Sequence, residues 1–307
     1  MIELWIPVTI FAAFCQNLRS AVQKHLKGSL STAGATFSRF GYGVPVLAAY
    51  VLALHYGAGM DWPEPRTEFF IYGLIGGATQ VGATFCLVWL FSFRDFAVGT
   101  TYSKTETVQA ALFGLVILGD GVSLAAAVAI FVSLIGVMLL STAKSELDWR
   151  KLWLGWTERT ALIGIFSGTL FGVSAVAFRA ASLSLGNPES GTGPGFLMQA
   201  GFTLAFVILA QSVGMALWMA WREPGQLGAV LRSWRWASLA GFAGALSSIG
   251  WFTAMTLQNV AYVRALGQIE LVFTFAAGIL IFKERSSRLE ITGILLVVAG
   301  ILILVSG

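Results

Sequence analysis

Apolar runs of about 20 residues, each long enough for a helix to cross the hydrocarbon core of a bilayer, recur along almost the whole chain. The first five run from Leu4 to Val22, Thr32 to Leu54, Phe69 to Phe91, Ala97 to Ile117 and Val122 to Ser141. The second five run from Ala161 to Leu183, Phe196 to Ala220, Trp236 to Leu257, Ala261 to Ile281 and Leu289 to Val305. The runs predict an all-α polytopic membrane protein with ten transmembrane helices. Trp5, Trp62, Trp153, Trp156, Trp218, Trp221, Trp234 and Trp236 fall near the ends of these runs, where an amphipathic ring sits best.

Composition narrows the class. Of 307 residues, 57% are hydrophobic and only 11% charged, against roughly 25% charged in a soluble domain. With a mean hydropathy of +0.79 there is too little polar surface to coat a globule. A soluble enzyme, a disordered chain and a nucleic-acid-binding domain are thereby excluded. Cys15 and Cys86 lie inside apolar runs, which suits packing better than a disulfide. His25 and His55 have no ligand spacing around them, so no metal site is expected. The first run begins directly after Met1-Ile2-Glu3, without the basic start and small-residue cleavage site of a signal peptide, and is expected to be retained as a helix.

The basic residues set an expected orientation. Alternate loops carry Lys24, Lys27, Arg94, Lys144, Arg150, Lys151, Arg159, Arg222, Arg232, Arg235, Lys283, Arg285 and Arg288, and the opposite side carries Arg66, a ratio of 13 to 1. The positive-inside rule places the rich side in the cytoplasm and both termini outside, in a bacterial inner membrane.

A shift of 164 residues superposes the fourth and fifth runs on the ninth and tenth: Ala97 on Ala261, Glu106 on Glu270, Val108 on Val272, Gly114 on Gly278, Gly136 on Gly300 and Leu140 on Leu304. A shift of 160 pairs Phe11 with Phe171 and Arg19 with Arg179. Five spans per half is an odd number, so the second half must enter the membrane the other way up. The expected organisation is a five-helix repeat at 1–142, a cytoplasmic connection at 143–160 and an inverted five-helix repeat at 161–307.

Ile269-Glu270-Leu271-Val272-Phe273, the Lys283-Glu284-Arg285 turn and the helix from Gly293 to Gly300 resemble the drug/metabolite transporter superfamily, in particular its EamA-type members. Thr105-Glu106-Thr107-Val108-Gln109, Gly119-Asp120 and Gly136 repeat the pattern in the first half. Leu271 and Thr107 stand where that family often has proline, and Lys283 replaces its usual glycine. The resemblance implies a central cavity that moves small organic solutes by alternating access.

Several residues are candidates for binding or coupling. Glu106 and Glu270 lie near the middle of their runs, where a charge costs about 2.5–3.5 kcal/mol on insertion scales and normally faces a bundle interior. They suit cation recognition or proton coupling, with a structural bond to a neighbouring helix as the second reading. Tyr102, Glu106 and Gln109 share one helical face. Lys104, two residues before Glu106, points nearly the opposite way and would bond across helices or snorkel. Arg264 could hold a substrate carboxylate or serve as an interfacial anchor. Arg19, Arg179 and Arg39 could meet an acidic group or snorkel, and Gln80 and Gln199 offer neutral bonding groups. The glycine stripes Gly164-Gly168-Gly172 and Gly73-Gly77 suit close helix packing. No Walker loop, zincin motif, nucleophile elbow or Rossmann pattern is present, and no catalytic residue or cofactor is expected.

These readings converge on a non-enzymatic secondary active or facilitative transporter. It would export a small organic metabolite, an amino acid or related zwitterion, with membrane lipids as its surroundings, no nucleic-acid partner and an oligomeric state the sequence leaves open. The alternatives are a flippase for a lipid-linked substrate, a multidrug or cationic-solute exporter and, ranked last, a membrane-embedded enzyme.

Overall fold

Long apolar stretches interrupted only by short polar turns fold as a series of helices in the computed structural model, which describes residues 3–90, 101–145, 157–186, 194–280, 283 and 286–307. In chain order they are α1 (Trp5–Leu26), α2 (Thr32–Gly41), α3 (Gly43–Leu52), α4 (Thr67–Leu90), α5 (Glu106–Phe113), α6 (Leu124–Ser145) and α7 (Arg159–Leu183). Then follow α8 (Phe196–Arg222), α9 (Gln226–Arg232), α10 (Trp234–Leu257), α11 (Val260–Gly267), α12 (Ile269–Leu280) and α13 (Arg288–Ser306). There is no strand among the described residues. Arg94, Arg150, Lys151, Trp153, Trp156, Ile281, Glu284 and Arg285 lie outside the described residues.

Among the described residues, eight helical stretches are long and apolar enough to cross a membrane, and the chain is a polytopic membrane protein. The expected spans Leu4–Val22 and Ala97–Ile117 are not among the eight. In α1 the polar residues Gln16, Asn17, Arg19 and Gln23 dilute the apolar run. The other is described only from residue 101, and its helix is interrupted at Lys104–Thr105. Large apolar side chains such as Phe85, Phe131, Leu217, Leu295 and Leu302 stand widely exposed, which costs free energy in water but none in lipid.

The ends are built from local hydrogen bonds. Ser287 and Glu290 form a reciprocal capping box at the start of α13, with Ser287 Oγ accepting from the Glu290 amide and Glu290 Oε2 from the Ser287 amide. Ser31 caps α2 by accepting from the Gly34 amide. A π-helical turn, Gly114–Leu118, ends at Gly119, whose φ of +73° only glycine adopts without strain.

The helices group into two compact units, Met1–Gly77 with Ala177–Leu257, and Ala78–Val176 with Gln258–Gly307. In the first unit α1 packs antiparallel to α10. A Cβ on Gly250 would lie 2.7 Å from Ala12 Cβ, Ser247 Oγ donates to the Ala12 carbonyl at 3.0 Å, and Trp251 Nε1 donates to Gln16 Oε1 at 3.0 Å. Phe69 of α4 packs on Phe202 and Phe206 of α8, and Gly73 receives the Phe206 ring.

In the second unit α6 and α13 touch backbone to backbone. A Cβ on Gly136 would approach the Gly293 carbonyl oxygen to 2.6 Å, and one on Gly300 the Ala129 carbonyl oxygen to 2.7 Å. Gly168 and Gly172 of α7 do the same for the stretch that carries Glu106: a Cβ would lie 2.9 Å from the Ser103 carbonyl oxygen and 3.2 Å from the Ala110 amide nitrogen. The glycine stripe thus seats the segment from which the candidate site is built.

Candidate functional site

Two helix interruptions shape the site in the second unit. Lys104 and Thr105 separate a turn at residues 101–103 from α5, and Gln268 separates α11 from α12. At the first, the amides of Lys104 and Thr105 bond three residues back, to the Thr101 and Tyr102 carbonyls, both at 3.1 Å. At the second, the Gln268 amide bonds to the Ala265 carbonyl at 3.2 Å and the Leu271 amide to that of Gln268 at 2.9 Å. These tightened turns interrupt the helix without proline, and Gly267 directly precedes the second of them. Each break is followed at once by a carboxylate in the first turn of the new helix, Glu106 in α5 and Glu270 in α12. A helix N-terminus carries partial positive charge, so it lowers the cost of a buried anion there.

Both carboxylates are paired across helices. Lys104 Nζ lies 3.5 Å from Glu270 Oε1, and Arg264 Nη1 lies 3.7 Å from Glu106 Oε1. Lys104 is within electrostatic reach of Glu270, Glu106 and Arg264, and the four charges sum to zero, so the cluster avoids the penalty of an uncompensated charge in an apolar bundle. Their side chains retain 18–35% exposure, which leaves them open to a polar ligand. Neutral groups complete the surroundings. Gln109 Nε2 donates to Thr105 Oγ1 at 3.1 Å, and Gln268 Nε2 donates to Thr107 Oγ1 at 3.4 Å. The carbonyl oxygens of both glutamine side chains are buried and accept no hydrogen bond among the described residues. Tyr102 is half-buried one turn before Glu106.

The other sequence candidates are placed differently. Gln80 is half-buried in α4. Arg19, Arg39, Arg179 and Gln199 belong to the first unit, and the structure does not bring them to the charge cluster. Arg179 acts as a helix cap: its Nη1 donates to the Met255 carbonyl at 2.7 Å and to that of Thr256 at 3.2 Å, two otherwise open acceptors at the end of α10. Gln199 is fully buried in α8, and neither of its side-chain polar atoms has a partner among the described residues.

Gln268 and Asn259 escaped the sequence reading. A signal for Gln268 existed, since the 164-residue shift lays it on Lys104. Asn259 caps α11 and ties it to the 120–121 turn. Its Oδ1 accepts from the Ala261 amide at 2.8 Å, and its Nδ2 donates to the Asp120 and Gly121 carbonyls at 3.4 and 3.1 Å. No group of three or more His, Cys, Asp or Glu that could hold a metal lies among the described residues.

With the geometry in place, the comparisons with known proteins bear on identity. No family model matches the chain. Among curated proteins, the chain is 38% identical over 127 residues to an adenosylcobinamide-GDP ribazoletransferase of Chlorobium phaeovibrioides, a match covering 40% of this chain and 47% of that protein. The chain therefore spans about half the length of the curated relative it matches. A crystal structure 15% identical in sequence aligns over 97% of this chain and 95% of its own with a TM-score of 0.71, a likeness of fold alone.

These findings correct three expectations. The resemblance to drug/metabolite transporters of the EamA type has no support, and the transporter function and the non-enzymatic reading are overturned by a curated relative that is an enzyme. The physical reason is that the quoted signals are generic. A carboxylate among Leu, Val and Phe, and a helix with glycine at packing positions, serve any polytopic helix bundle that must bury a polar site and bring backbones close.

Proposed function

We propose that the chain is a membrane-embedded group-transfer enzyme whose polar site is the Lys104–Glu106–Arg264–Glu270 cluster. The observation that carries this reading is the similarity to a ribazoletransferase, whose name sets a guanosine diphosphate on its substrate. The cluster offers the matching chemistry. Glu106 and Glu270, each beside a cationic partner, can accept the proton of an attacking hydroxyl. Once a substrate draws Lys104 or Arg264 from its carboxylate, the cation neutralises charge on a departing phosphate. Gln109 and Gln268 contribute the buried acceptors that would orient a polar substrate.

The surrounding architecture in this proposal is ten spans in two inverted five-helix repeats, at 1–142 and 161–307 with the connection at 143–160. The basic loops lie in the cytoplasm of a bacterial cell and both termini lie outside. The unequal division of basic residues between alternate loops supports it.

The test is direct. Purified protein in lipid nanodiscs is incubated with adenosylcobinamide-GDP and ribazole, and product is followed by mass spectrometry. Turnover by the wild type is expected, with a loss of about 100-fold or more in Glu106→Gln. No product above a protein-free control would overturn the reading.

A further inference from the structure

A cationic cleft opens in the first unit where α1 ends and α10 begins. Leu26 at the end of α1, Val230 of α9 and Ala237 of α10 are buried in one apolar cluster, which holds the ends of these three helices together. Beside that cluster the cleft has a volume of about 390 Å³ and is lined by His25, Leu26, Ser29 and residues 232–236. Ligand sites usually fall in the range of about 300–1,000 Å³. The His25 and Trp236 rings meet with their centroids 4.4 Å apart and join α1 to α10 along the cleft. Arg232 and Arg235 bring two guanidinium groups to it. Arg232 donates through Nε to the Gly228 carbonyl at 3.3 Å, and the Arg235 guanidinium lies 5.7 Å from the Trp234 ring centroid. Neither arginine forms an ion pair among the described residues. No Asp or Glu lines the cleft, and α1, α9 and α10 carry none at all. Glu223, just before α9, is engaged elsewhere and accepts from the Ser31 hydroxyl at 2.5 Å.

The cleft lies at the polar boundary of the bilayer. The apolar helix α10 starts here, and exposed Trp234 and Trp236 stand where an amphipathic ring settles between hydrocarbon and water. Arg235, Leu239 and Phe242 fall on one stripe of α10 by their spacing of four and three residues, and Leu239 and Phe242 are exposed. A phosphate held at Arg235 therefore has apolar helix surface further along α10 for acyl chains, which a soluble anion cannot use. We propose that this cleft binds the headgroup phosphate of an anionic phospholipid, held by Arg232 and Arg235 with the His25 imidazole as a further donor. Guanidinium forks match phosphate oxygens, and basic pockets between helices at a membrane face suit such headgroups. A zwitterionic headgroup fits less well, because its cation would meet two arginines and no carboxylate in the cleft. This site depends neither on the transferase reading nor on which face of the membrane these loops occupy.

The experiment titrates the purified full chain in detergent micelles with phosphatidylglycerol or phosphatidylcholine and reads thermal unfolding at fixed ionic strength. Saturable stabilisation by phosphatidylglycerol is expected, with little by phosphatidylcholine. In the double variant Arg232→Gln with Arg235→Gln, the apparent affinity for phosphatidylglycerol is expected to fall at least about tenfold. Arg288→Gln, which removes an exposed basic residue of the other unit, is expected to bind as the wild type does. No stabilisation by phosphatidylglycerol, an equal response to the two lipids, undiminished affinity in the double variant, or as large a loss in Arg288→Gln overturns the proposal. Inorganic phosphate serves as the soluble probe. Stabilisation by it that matches phosphatidylglycerol and is lost in the double variant would assign the cleft to a soluble anion and overturn the lipid reading. Should the double variant fail to fold, the two single variants are compared with the wild type, and undiminished affinity in both overturns the proposal equally.

Discussion

At the scale of single residues, the two ion pairs are partly exposed, and this sets what they contribute. A fully buried pair that loses one partner costs about 3–5 kcal/mol, and an exposed pair is worth about 1 kcal/mol or less. With 35% and 21% of its side chains exposed, the Lys104–Glu270 pair falls between these limits. Glu270→Gln is expected to destabilise the protein by about 1–2 kcal/mol in thermal unfolding, since it strands the Lys104 ammonium. The double variant Lys104→Met with Glu270→Met should cost less than the sum of the two single changes. Strict additivity in that cycle would show that the charges do not interact. Asn259→Ala is expected to cost about 1–2 kcal/mol, through loss of the cap on Ala261 and the bonds to the 120–121 turn. The charged residues stood out in the sequence because ionisable groups are rare in apolar runs. Their partners did not. The spacing of Lys104 and Glu106 says only that they diverge on one helix, and the choice of Glu270 for Lys104 is made by packing between segments far apart in the chain.

At the scale of elements, long apolar runs become helices because a bilayer leaves the backbone no other hydrogen-bonding partner, which is why eight of the ten expected spans recur as apolar helices long enough to cross a membrane among the described residues. The breaks at Lys104–Thr105 and Gln268 could not be read from hydropathy. Neither contains proline, and each is held by three-residue backbone bonds together with side chains such as Thr105, whose Oγ1 donates to the Tyr102 carbonyl at 2.7 Å. Glycine stripes were visible as spacing, but only the structure shows which of them meet backbone. Gly136 meets the Gly293 carbonyl at 2.6 Å and the Val297 amide at 2.8 Å, from where a Cβ would lie. Backbone on both sides cannot yield as a flexible side chain can, so Gly136→Ala is expected to destabilise by about 1–3 kcal/mol. Gly121→Ala, where nothing lies within 4 Å of the added methyl, should stay within about 0.5 kcal/mol in the same unfolding measurement.

At the scale of the whole molecule, each compact unit draws on both halves of the sequence, 1–77 with 177–257 and 78–176 with 258–307. Proximity in sequence is therefore a poor guide to which polar residues share a site. Arg19, Arg39, Arg179 and Gln199 looked like companions of Glu106 and Glu270 in a linear reading, yet they lie in the other unit. The chemistry was illegible for a related reason. Hydropathy and charge placement report how a chain sits in lipid, and a transporter and a membrane enzyme solve that problem with the same residues. The proposed orientation is testable because it depends on the loops alone. Cys15 and Cys86 are both buried, so an introduced thiol can be read against a quiet background. Glu64→Cys, in an exposed stretch between α3 and α4, is expected to react in intact cells with a membrane-impermeant maleimide. Ser29→Cys, at an exposed position between α1 and α2, is expected to react only after the membrane is permeabilised. Lys24 in the last turns of α1 and Lys27 just after it stand at the Ser29 end of the helix, and translocating them against the membrane potential would cost about 2.3 kcal/mol per charge at 100 mV. The reverse labelling pattern would place the basic loops outside and remove the proposed topology, while leaving the ion pairs where the helices put them.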